Sequence, residues 1–327
     1  MKDRILELLR QESGYLSGQE MSTLLGVSRA AVWKAVEALR KEGYTIDSAP
    51  NRGYHLDAPT GRLSAREIAA RLDGHPWAEL VQVLDSVDST NNLAKTLAAQ
   101  GAPAGTVIVA DSQTGGRGRM GRSFVSPPGV GVYLSVILRP EAPPEELMHL
   151  TCAVAEVLCD GIEVASGLRP GIKWTNDLVS GGRKLCGILT ELSLEAESGH
   201  VQYAVVGAGV NCDQTLSDFP PEIRDMAGSL SMLTGKAVSR NTLAAEMIRA
   251  LSRLDGGLVG NRQEWMDRYR RDCVTIGRAV SVSRAGETRW GQAVDVDDRG
   301  ALLVDFGQGP EAVQSGEVSV RGMYGYV

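Results

Sequence analysis

The sequence predicts an α+β protein of several domains, and three regional patterns lead to this fold class. Residues 1–60 contain three short helical patterns followed by two strand-like runs. Apolar strands alternate with amphipathic helices through residues 64–272, and residues 273–327 contain short strands separated by glycines. Because 327 residues exceed the usual size of a single hydrophobic core, we predict three domains with these boundaries.

The composition is typical of a globular protein in water. Hydrophobic residues make up 43% and charged residues 23% of the chain. No apolar run approaches the roughly 20 residues that span a bilayer, and the acidic start does not fit a signal peptide. The five cysteines are scattered without a metal-binding spacing. We expect a cytoplasmic protein with buried, reduced thiols and no membrane partner.

The N-terminal region has the pattern of a helix-turn-helix. Apolar residues recur at helical spacing from Ile5, and Ser17 opens a second helix that ends at Leu25. A turn at Gly26 then leads to Ser28, a good N-cap for the third helix. Two helices joined by a short glycine-containing turn are typical of a helix-turn-helix.

The third helix divides into an apolar face and a basic face. Val32, Val36 and Leu39 form one apolar stripe, while small and basic residues such as Lys34 lie opposite. Four basic side chains and one acidic side chain give residues 28–41 a charge of +3, within a chain of net charge −6. A helix that enters the major groove of DNA needs this division.

A predicted hairpin completes this region as a winged helix. Residues 44–47 and 53–56 alternate like two strands around a turn at 49–52. We predict that the domain binds DNA; the alternative is a small helical module that binds another protein. Residues 57–61 indicate a linker. The candidate DNA contacts are Ser28, Arg29, Lys34 and Arg52.

The central region places polar residues where a helix begins. A strand pattern at 81–84 is followed by Asp88-Ser89-Thr90-Asn91 and then by an amphipathic helix. Any of the first three polar residues can cap this helix. A helix start also presents free N–H groups, so a site for a polar ligand is the functional alternative.

A loop in which arginine alternates with glycine follows the next strand pattern, Thr106–Ala110. Its sequence is Gly115-Gly116-Arg117-Gly118-Arg119-Met120-Gly121-Arg122. Glycine lets backbone N–H groups approach an anion and adopts positive φ, while arginine supplies a permanent charge and a forked donor. The loop matches neither the Walker pattern nor the dinucleotide-binding pattern. We predict that it binds carboxylate or phosphate oxygens.

Two further motifs lie later in the same region. The run Lys173-Trp174-Thr175-Asn176-Asp177 precedes a glycine turn at 181–182, and Arg183-Lys184 follows the turn. This pattern predicts a hairpin with Asp177 near one strand end and Lys184 at the start of the partner strand. A strand pattern at 201–206 ends in Gly207-Ala208-Gly209-Val210-Asn211. Each motif alone is weakly specific.

Taken in order, these motifs resemble those of the biotin protein ligases, in particular the bifunctional kind that also represses the biotin operon. The resemblance covers essentially the whole chain, with the winged helix, G-R-G-R-x-G-R, K-W-x-N-D, R-K-L-x-G-I-L-x-E and G-x-G-x-N in the family's order. It implies a central class II synthetase-like mixed sheet with helices and a C-terminal SH3-like β-barrel. Periodicity predicts a strand at 129–138, helices at 148–159, 241–258 and 261–273, and C-terminal strands at 279–282, 290–296, 301–305 and 318–320.

The resemblance also implies an enzyme that works in two steps. Biotin and ATP form biotinyl-5′-adenylate and pyrophosphate, and a lysine of a biotin carboxyl carrier protein then receives the biotinyl group. Mg²⁺ is expected with ATP, and no tightly bound prosthetic group is expected. The adenylate-bound form is expected to be a homodimer that binds an inverted-repeat operator DNA.

Residue roles follow from the same resemblance, position by position. Lys184, Arg119 and Asp177 match catalytic positions, with Asp177 either binding Mg²⁺ or accepting the proton of the target lysine. Phe124 stands where some relatives carry a tryptophan, which leaves a smaller ring to stack on adenine. The biotin and adenylate contacts are Ser89, Thr90, Asn91, Gln113, Gly116, Arg117, Gly118, Arg119, Lys184, Gly187, Gly207 and Gly209, and the nucleotide side is formed by Phe124, Asn211 and Arg321.

Two other functions remain as alternatives. A lipoate or octanoate ligase of the same fold needs an apolar tunnel and lacks the G-R-G-R loop. A transcription factor that only senses biotin has no need of Lys184 together with two loop arginines. Biotin-dependent exchange of pyrophosphate into ATP separates all three functions.

Overall fold

A computed structural model of the chain describes residues 1–11, 15–41, 44, 46–49, 52–56, 62–195, 197–284, 287–314 and 319–322. The chain forms two compact units, Met1–Arg62 and Leu63–Val327. The linker predicted at 57–61 lies outside the described residues. The three domain boundaries inferred from the sequence stay predictions.

The first unit contains the helix-turn-helix and the hairpin that the sequence predicts. Its elements are α1 (Lys2–Gln11), α2 (Gly18–Leu25), α3 (Arg29–Lys41), β1 (Ile46–Ala49) and β2 (Gly53–Leu56), and β1 and β2 pair antiparallel. Ser17 caps α2 and exchanges hydrogen bonds with Glu20, while Gly26 ends the helix at φ 64°. The apolar stripe of α3 is buried against Ile5 and Leu9 of α1, so helical periodicity identified the core of this unit.

A seven-stranded mixed sheet forms the centre of the second unit, as the resemblance implies. Its elements are α4 (Ala65–Leu72), β3 (Val81–Leu84), α5 (Thr90–Ala99), β4 (Val107–Ala110), β5 (Gly131–Leu138), α6 (Leu150–Ser166), β6 (Gly171–Lys173), β7 (Asp177–Ser180), β8 (Arg183–Leu194), β9 (Val201–Asn211), α7 (Leu230–Thr234), α8 (Arg240–Ser252) and α9 (Arg262–Asp272). The strand order is β3-β4-β5-β9-β8-β7-β6, with β3 and β4 parallel and the other pairs antiparallel.

Helices cover both faces of this sheet, which explains why β5 is buried along its whole length. Val132, Leu134 and Val136 point into the main core with α6 and α8. Ile137, on the other face, belongs to a smaller cluster with α5. This alternation follows from the period of two in a strand, and it places α5 against β4, β5 and β9.

Three element boundaries differ from the sequence predictions by about five residues or more. Strand β9 continues to Asn211, so the G-x-G-x-N motif lies inside a strand rather than after it. Helix α6 ends at Ser166 instead of 159 because Gly167 adopts φ 74° there. Helix α8 ends at Ser252 and turns follow it, where Gly256 also has a positive φ.

The C-terminal strands form a five-stranded antiparallel sheet, consistent with the SH3-like type. Its strands are β10 (Ala279–Arg284), β11 (Glu287–Val296), β12 (Leu302–Asp305), β13 (Pro310–Val313) and β14 (Ser319–Gly322), in the order β13-β12-β11-β10-β14. Strand β13 is the one that the sequence patterns missed. Val280, Val296 and Leu302 join the main apolar core of the unit, and Trp174 Nε1 donates to the Gly300 carbonyl at 3.0 Å.

All five cysteines are buried and unpaired, as predicted. Burial raises the pKa of Cys186 to about 12, so its thiol stays protonated at neutral pH. No helix in the described part of the chain combines the length and the apolar character that crossing a membrane requires.

Candidate active site and nucleic-acid interface

A pocket opens where the start of α5 meets β8 and β9. The space between its walls, open to solvent at the mouth, amounts to about 310 Å³. All of its lining residues except Leu189 and Ala208 belong to the predicted site. The lining consists of Ser89, Thr90, Asn91, Gln113, Arg117, Phe124, Gly187, Leu189, Gly207, Ala208 and Gly209.

The helix start in this pocket is capped differently from the sequence expectation. Ser89 occupies the N-cap position, but its side chain makes no capping hydrogen bond. Instead, the N–H of Thr90 donates to Gln113 Oε1 at 2.9 Å, and Gln113 Nε2 donates to Ser126 at 2.9 Å. Gln113 therefore takes one of the free N–H groups that the sequence left to a ligand, while the buried Ser89 hydroxyl remains beside the pocket.

Ser135 supports two of the predicted ligand contacts and was missed by sequence reasoning. Its hydroxyl lies 2.7 Å from Thr90 Oγ1 and 2.6 Å from Asn91 Oδ1. It is fully buried in β5. The sequence did contain a signal for Ser135, since it is a lone polar residue in an apolar strand. A buried hydroxyl needs a hydrogen-bond partner, so such a residue indicates a polar contact.

Asn91 is held by groups on β8. Its Nδ2 donates to Glu191 Oε2 at 2.8 Å and to the Leu189 carbonyl at 3.2 Å. Glu191 Oε1 lies 2.7 Å from Lys95 Nζ on α5. Burial raises the pKa of Glu191, but the hydrogen bonds from Lys95 and Asn91 outweigh it and leave this pKa below the ordinary value. The sequence motif contained Glu191 without assigning it a role.

The Gly/Arg loop forms a narrow hairpin. Arg117 pairs with Ser123, and the Gly118 N–H donates to the Arg122 carbonyl at 2.7 Å. The predicted positive φ occurs at Met120 and Gly121, with values of 55° and 71°, and not at the glycines beside the two inner arginines. Gly116 is required for a different reason, since a Cβ there would lie 2.4 Å from the Phe124 carbonyl oxygen.

Arg119 reaches from this loop to the K-W-T-N-D motif. Its Nη1 donates to Asn176 Oδ1 at 3.1 Å, and Asn176 Nδ2 donates to the Ile188 carbonyl at 2.8 Å. Burial lowers the pKa of Arg119, and the nearby charge of Asp177 opposes this effect. Asn176 thus ties the loop to β8, a contact that the sequence motif did not specify.

Lys184 and Asp177 lie together at the hairpin, as the sequence predicts. Lys184 Nζ is 2.6 Å from Asp177 Oδ1, and Asp177 faces Gly187 across the strand pair. A Cβ at Gly187 would lie 3.2 Å from Lys184 Nζ and 3.1 Å from the Phe124 ring. Lys184 Nζ therefore lies beside Gly187, a lining residue of the pocket. Asn91 contacts the same strand farther along, at the Leu189 carbonyl.

Asp177, for which magnesium binding is one of two predicted roles, is held in an ion pair. Its carboxylate neutralises Lys184 and lies near the charge of Arg119. Among the residues that the structure describes, no group of three or more His, Cys, Asp or Glu side chains is placed to hold a metal ion. Mg²⁺ at a nucleotide site is commonly held by one or two carboxylates together with substrate phosphates, so the magnesium role of Asp177 stays a prediction.

The residues predicted for the nucleotide side belong to three different segments of the chain. Phe124 lines the same pocket as Asn91, and its ring lies over Gly209, where a Cβ would come within 2.5 Å. Asn211 is buried and donates to the carbonyls of Gly228 and Lys184. Arg321 lies in β14 opposite Ser281, and its side chain lies outside the described residues. Their contacts with a nucleotide stay predictions.

In the first unit, the candidate DNA contacts occupy an exposed surface. Ser28 accepts a hydrogen bond from the Ala31 N–H at 3.2 Å and caps α3, while Arg29 and Lys34 are exposed. Trp33, which the sequence reasoning did not select, is also 54% exposed on α3. The guanidinium of Arg52 lies over the Tyr15 ring, 4.3 Å from its centre.

One basic residue of α3 has a structural task instead. Arg40 pairs with Glu37 at 2.7 Å and donates from two nitrogens to the Ile46 carbonyl. It therefore attaches β1 to α3. The exposed charge of the helix is carried by Arg29, Lys34 and Lys41.

Three family descriptions match the chain in order. Residues 2–55 match an HTH domain, residues 83–211 match the biotin/lipoate A/B protein ligase family, and residues 275–321 match a biotin protein ligase C-terminal domain. The fold and the pocket thus define a ligase of the biotin/lipoate class with an N-terminal helix-turn-helix.

Relatives identify the group more narrowly. A bifunctional ligase/repressor BirA of Bacillus spizizenii is 35% identical over 326 residues, which cover 98% of both chains. The Escherichia coli protein of the same name is 30% identical over 332 residues, covering 98% of this chain and 99% of that one. A biotin protein ligase from Aquifex aeolicus, solved with biotin and ATP, has a TM-score of 0.61 and 27% identity over 74% of this chain and 98% of its own. The chain belongs to the biotin protein ligase family, in its bifunctional ligase/repressor group.

Proposed function

We propose that this protein activates biotin with ATP and transfers the biotinyl group to a lysine of a biotin carboxyl carrier protein. The observation that carries the proposal is the polarity of the pocket. One end offers hydrogen-bonding groups from Ser89, Thr90 and Asn91, and the other end meets Lys184 across Gly187. A ligand with a cyclic urea at one end and a carboxylate at the other matches this order of groups.

In the first step, a carboxylate oxygen of biotin attacks the α-phosphorus of ATP. The bond from that phosphorus to the bridging oxygen breaks, and pyrophosphate leaves. Because both reactants are anions, the main task of the protein is electrostatic. Lys184 and Arg119 supply fixed positive charge next to the pocket end, and Asp177 and Asn176 hold these two side chains in place before the ligand binds.

The Gly/Arg loop protects the adenylate from water. Its hairpin carries Arg117 beside the pocket and Arg119 toward Asn176. A loop that contacts both the phosphate and the pocket excludes water from the mixed anhydride. Arg117 and Arg119 are the groups that would hold the phosphate, because the Gly118 N–H already donates to the Arg122 carbonyl.

In the second step, the amine of the carrier lysine attacks the carbonyl carbon of the adenylate, and AMP leaves with the electron pair of the broken bond. The attacking ammonium must first lose a proton. Asp177, the carboxylate paired with Lys184, is the proposed acceptor of that proton. Mg²⁺ bound with ATP would supply further positive charge to the phosphates, and Asp177 is the residue that would hold it in the alternative role.

The winged helix adds repression of biotin synthesis genes to this activity. Arg29 and Lys34 on the exposed face of α3 contact the phosphates and bases of an operator, and Ser28 and Arg52 flank them. An inverted repeat requires two copies, so the adenylate-bound protein is a homodimer in this proposal. Among the described strands, β8 beyond Gly187 pairs only with β9, which leaves its other edge for such a contact.

The ligase proposal is tested by measuring exchange of labelled pyrophosphate into ATP with the purified protein. Exchange is expected with biotin and not with lipoate. Exchange with lipoate alone would favour the lipoate ligase. Biotin binding without any exchange would favour a transcription factor that only senses biotin.

The DNA proposal is tested separately with a duplex from the control region of a biotin synthesis gene. Replacing Lys34 by Ala should weaken binding and lower the slope of log K against log salt by about one, because one phosphate contact is lost. Lys236→Met, an exposed lysine of the second unit, is the control. An unchanged slope for Lys34→Ala would remove Lys34 from the interface.

A further inference from the structure

A chain of hydrogen bonds leads from the pocket to two residues that do not line it. Asn91 Nδ2 donates to Glu191 Oε2 at 2.8 Å, and Lys95 Nζ pairs with Glu191 Oε1 at 2.7 Å. Glu191 lies on β8 and Lys95 on α5, and both are half-buried. Neither residue contacts the reacting end of the pocket, where Lys184 lies.

The partners of Asn91 allow only one orientation of its amide. The ionised carboxylate of Glu191 and the carbonyl of Leu189 accept hydrogen bonds and cannot donate them. The amide nitrogen must therefore face these two groups, and it uses one hydrogen for each. The amide oxygen faces the opposite way, toward the Ser135 hydroxyl at 2.6 Å.

Gly207 makes room for this amide oxygen. A Cβ on residue 207 would lie 2.0 Å from Asn91 Oδ1. Because Ser135 can use only one of the two lone pairs of the amide oxygen, the second lone pair stays available to a ligand. Asn91 can thus accept a hydrogen bond from a ligand but has no hydrogen left to donate.

We propose that Glu191, held by Lys95, is a positioning residue that makes Asn91 an obligatory acceptor and so selects ligands with an N–H group at this end of the pocket. The inference rests on the proposed function. A cyclic urea offers such N–H groups, whereas a dithiolane ring offers none. If the amide of Asn91 were reversed, its N–H would face the N–H of the urea. Neither buried donor would then have an acceptor, and binding of the urea would weaken.

A double-mutant cycle on the Michaelis constant for biotin in the exchange reaction tests this role. Glu191→Ala should raise that constant about tenfold, with kcat and the constant for ATP changed by less than about twofold. Asn91→Ala should raise it to a similar degree. Because Glu191 acts through Asn91, the double variant should match Asn91→Ala alone and show no further loss.

The double variant Lys95→Met/Glu191→Gln gives a second measurement that does not depend on how well Glu191→Ala folds. Both partners of the Glu191 carboxylate are donors, so a glutamine beside Lys95 would turn its one amide oxygen toward the ammonium. With Lys95 replaced, that oxygen can face Asn91, and the constant for biotin should stay within about threefold of the wild type. A tenfold rise in this double variant would overturn the assignment. An unchanged constant in Glu191→Ala, or effects of Glu191→Ala and Asn91→Ala that multiply in the double variant, would also overturn it. A wild-type protein without biotin-dependent exchange refutes the proposed function itself, so the two failures are distinguishable.

Discussion

The two ends of the pocket use polar side chains in opposite ways. At the end lined by Thr90 and Asn91, hydroxyl and amide groups are already joined to one another, to Gln113 and to Ser135. At the end near Lys184, formal charges lie side by side, and Lys184 forms an ion pair with Asp177. The first end is organised before a ligand arrives, and the second end presents charge that a ligand can engage.

This difference separates recognition from reaction. A preorganised network of hydrogen bonds lowers the cost of ordering the site and rejects ligands whose donors and acceptors do not match. The charge of Lys184, held in place by Asp177, lowers the energy of a transition state in which negative charge shifts from one oxygen to another. Substitutions at the first end should therefore alter the Michaelis constant for biotin, and substitutions at the second end should alter kcat.

The largest effect is expected at Lys184. Lys184→Met should lower kcat for exchange by about 10² to 10³, since it removes a charge that stabilises the transition state. The Michaelis constant for biotin should change by less than about threefold. Steady-state exchange assays give both values, with Lys236→Met as the control. A large rise in the Michaelis constant for biotin with a normal kcat would contradict the separation of recognition and reaction between the two ends of the pocket.

Gly207→Ala should give the next largest effect, at the recognition end. The added methyl group would displace the amide oxygen of Asn91, so the Michaelis constant for biotin should rise about 30-fold through overpacking. Gly260→Ala is the matched control, because a Cβ at Gly260 has no heavy atom within 4 Å. If the Michaelis constant for biotin is the same in Gly207→Ala and Gly260→Ala, displacement of Asn91 does not affect biotin binding.

Arg119 tests the retention of the adenylate. Arg119→Gln should release biotinyl-5′-adenylate about tenfold faster, because the loop loses its contact with Asn176 and with the phosphate. Free adenylate then labels lysines of unrelated proteins, which streptavidin blotting of added serum albumin detects. Adenylate that stays bound in this variant would contradict the protective role of the loop.

Ser135 should give the smallest effect. Ser135→Ala removes one hydroxyl that supports Thr90 and Asn91, so the constant for biotin should rise by about threefold to fivefold. Calorimetric titration with biotin measures the same change in affinity. A fall in kcat without a change in affinity would place Ser135 with the reacting end instead.

Local sequence patterns predicted much of the fold and part of the site. Strand β3 was predicted with its observed bounds, and the hairpin that brings Asp177 to Lys184 followed from a glycine turn between two strand patterns. These features depend on neighbours in sequence, where periodicity and turn residues act directly. By contrast, β13 lacked a clear pattern, because three of its four residues are exposed.

The sequence by itself determined most of the helices and strands and their apolar faces, and it predicts that the Gly/Arg loop binds an anion. Only the tertiary structure decided that Gln113 caps α5, that Asn176 holds Arg119 and that Glu191 orients Asn91. Each of these contacts joins residues far apart in the chain. Their geometry follows from the pairing of β8 with β9 and from the packing of α5 on the sheet. A side chain's partners are set by which elements meet, and no local pattern carries that information.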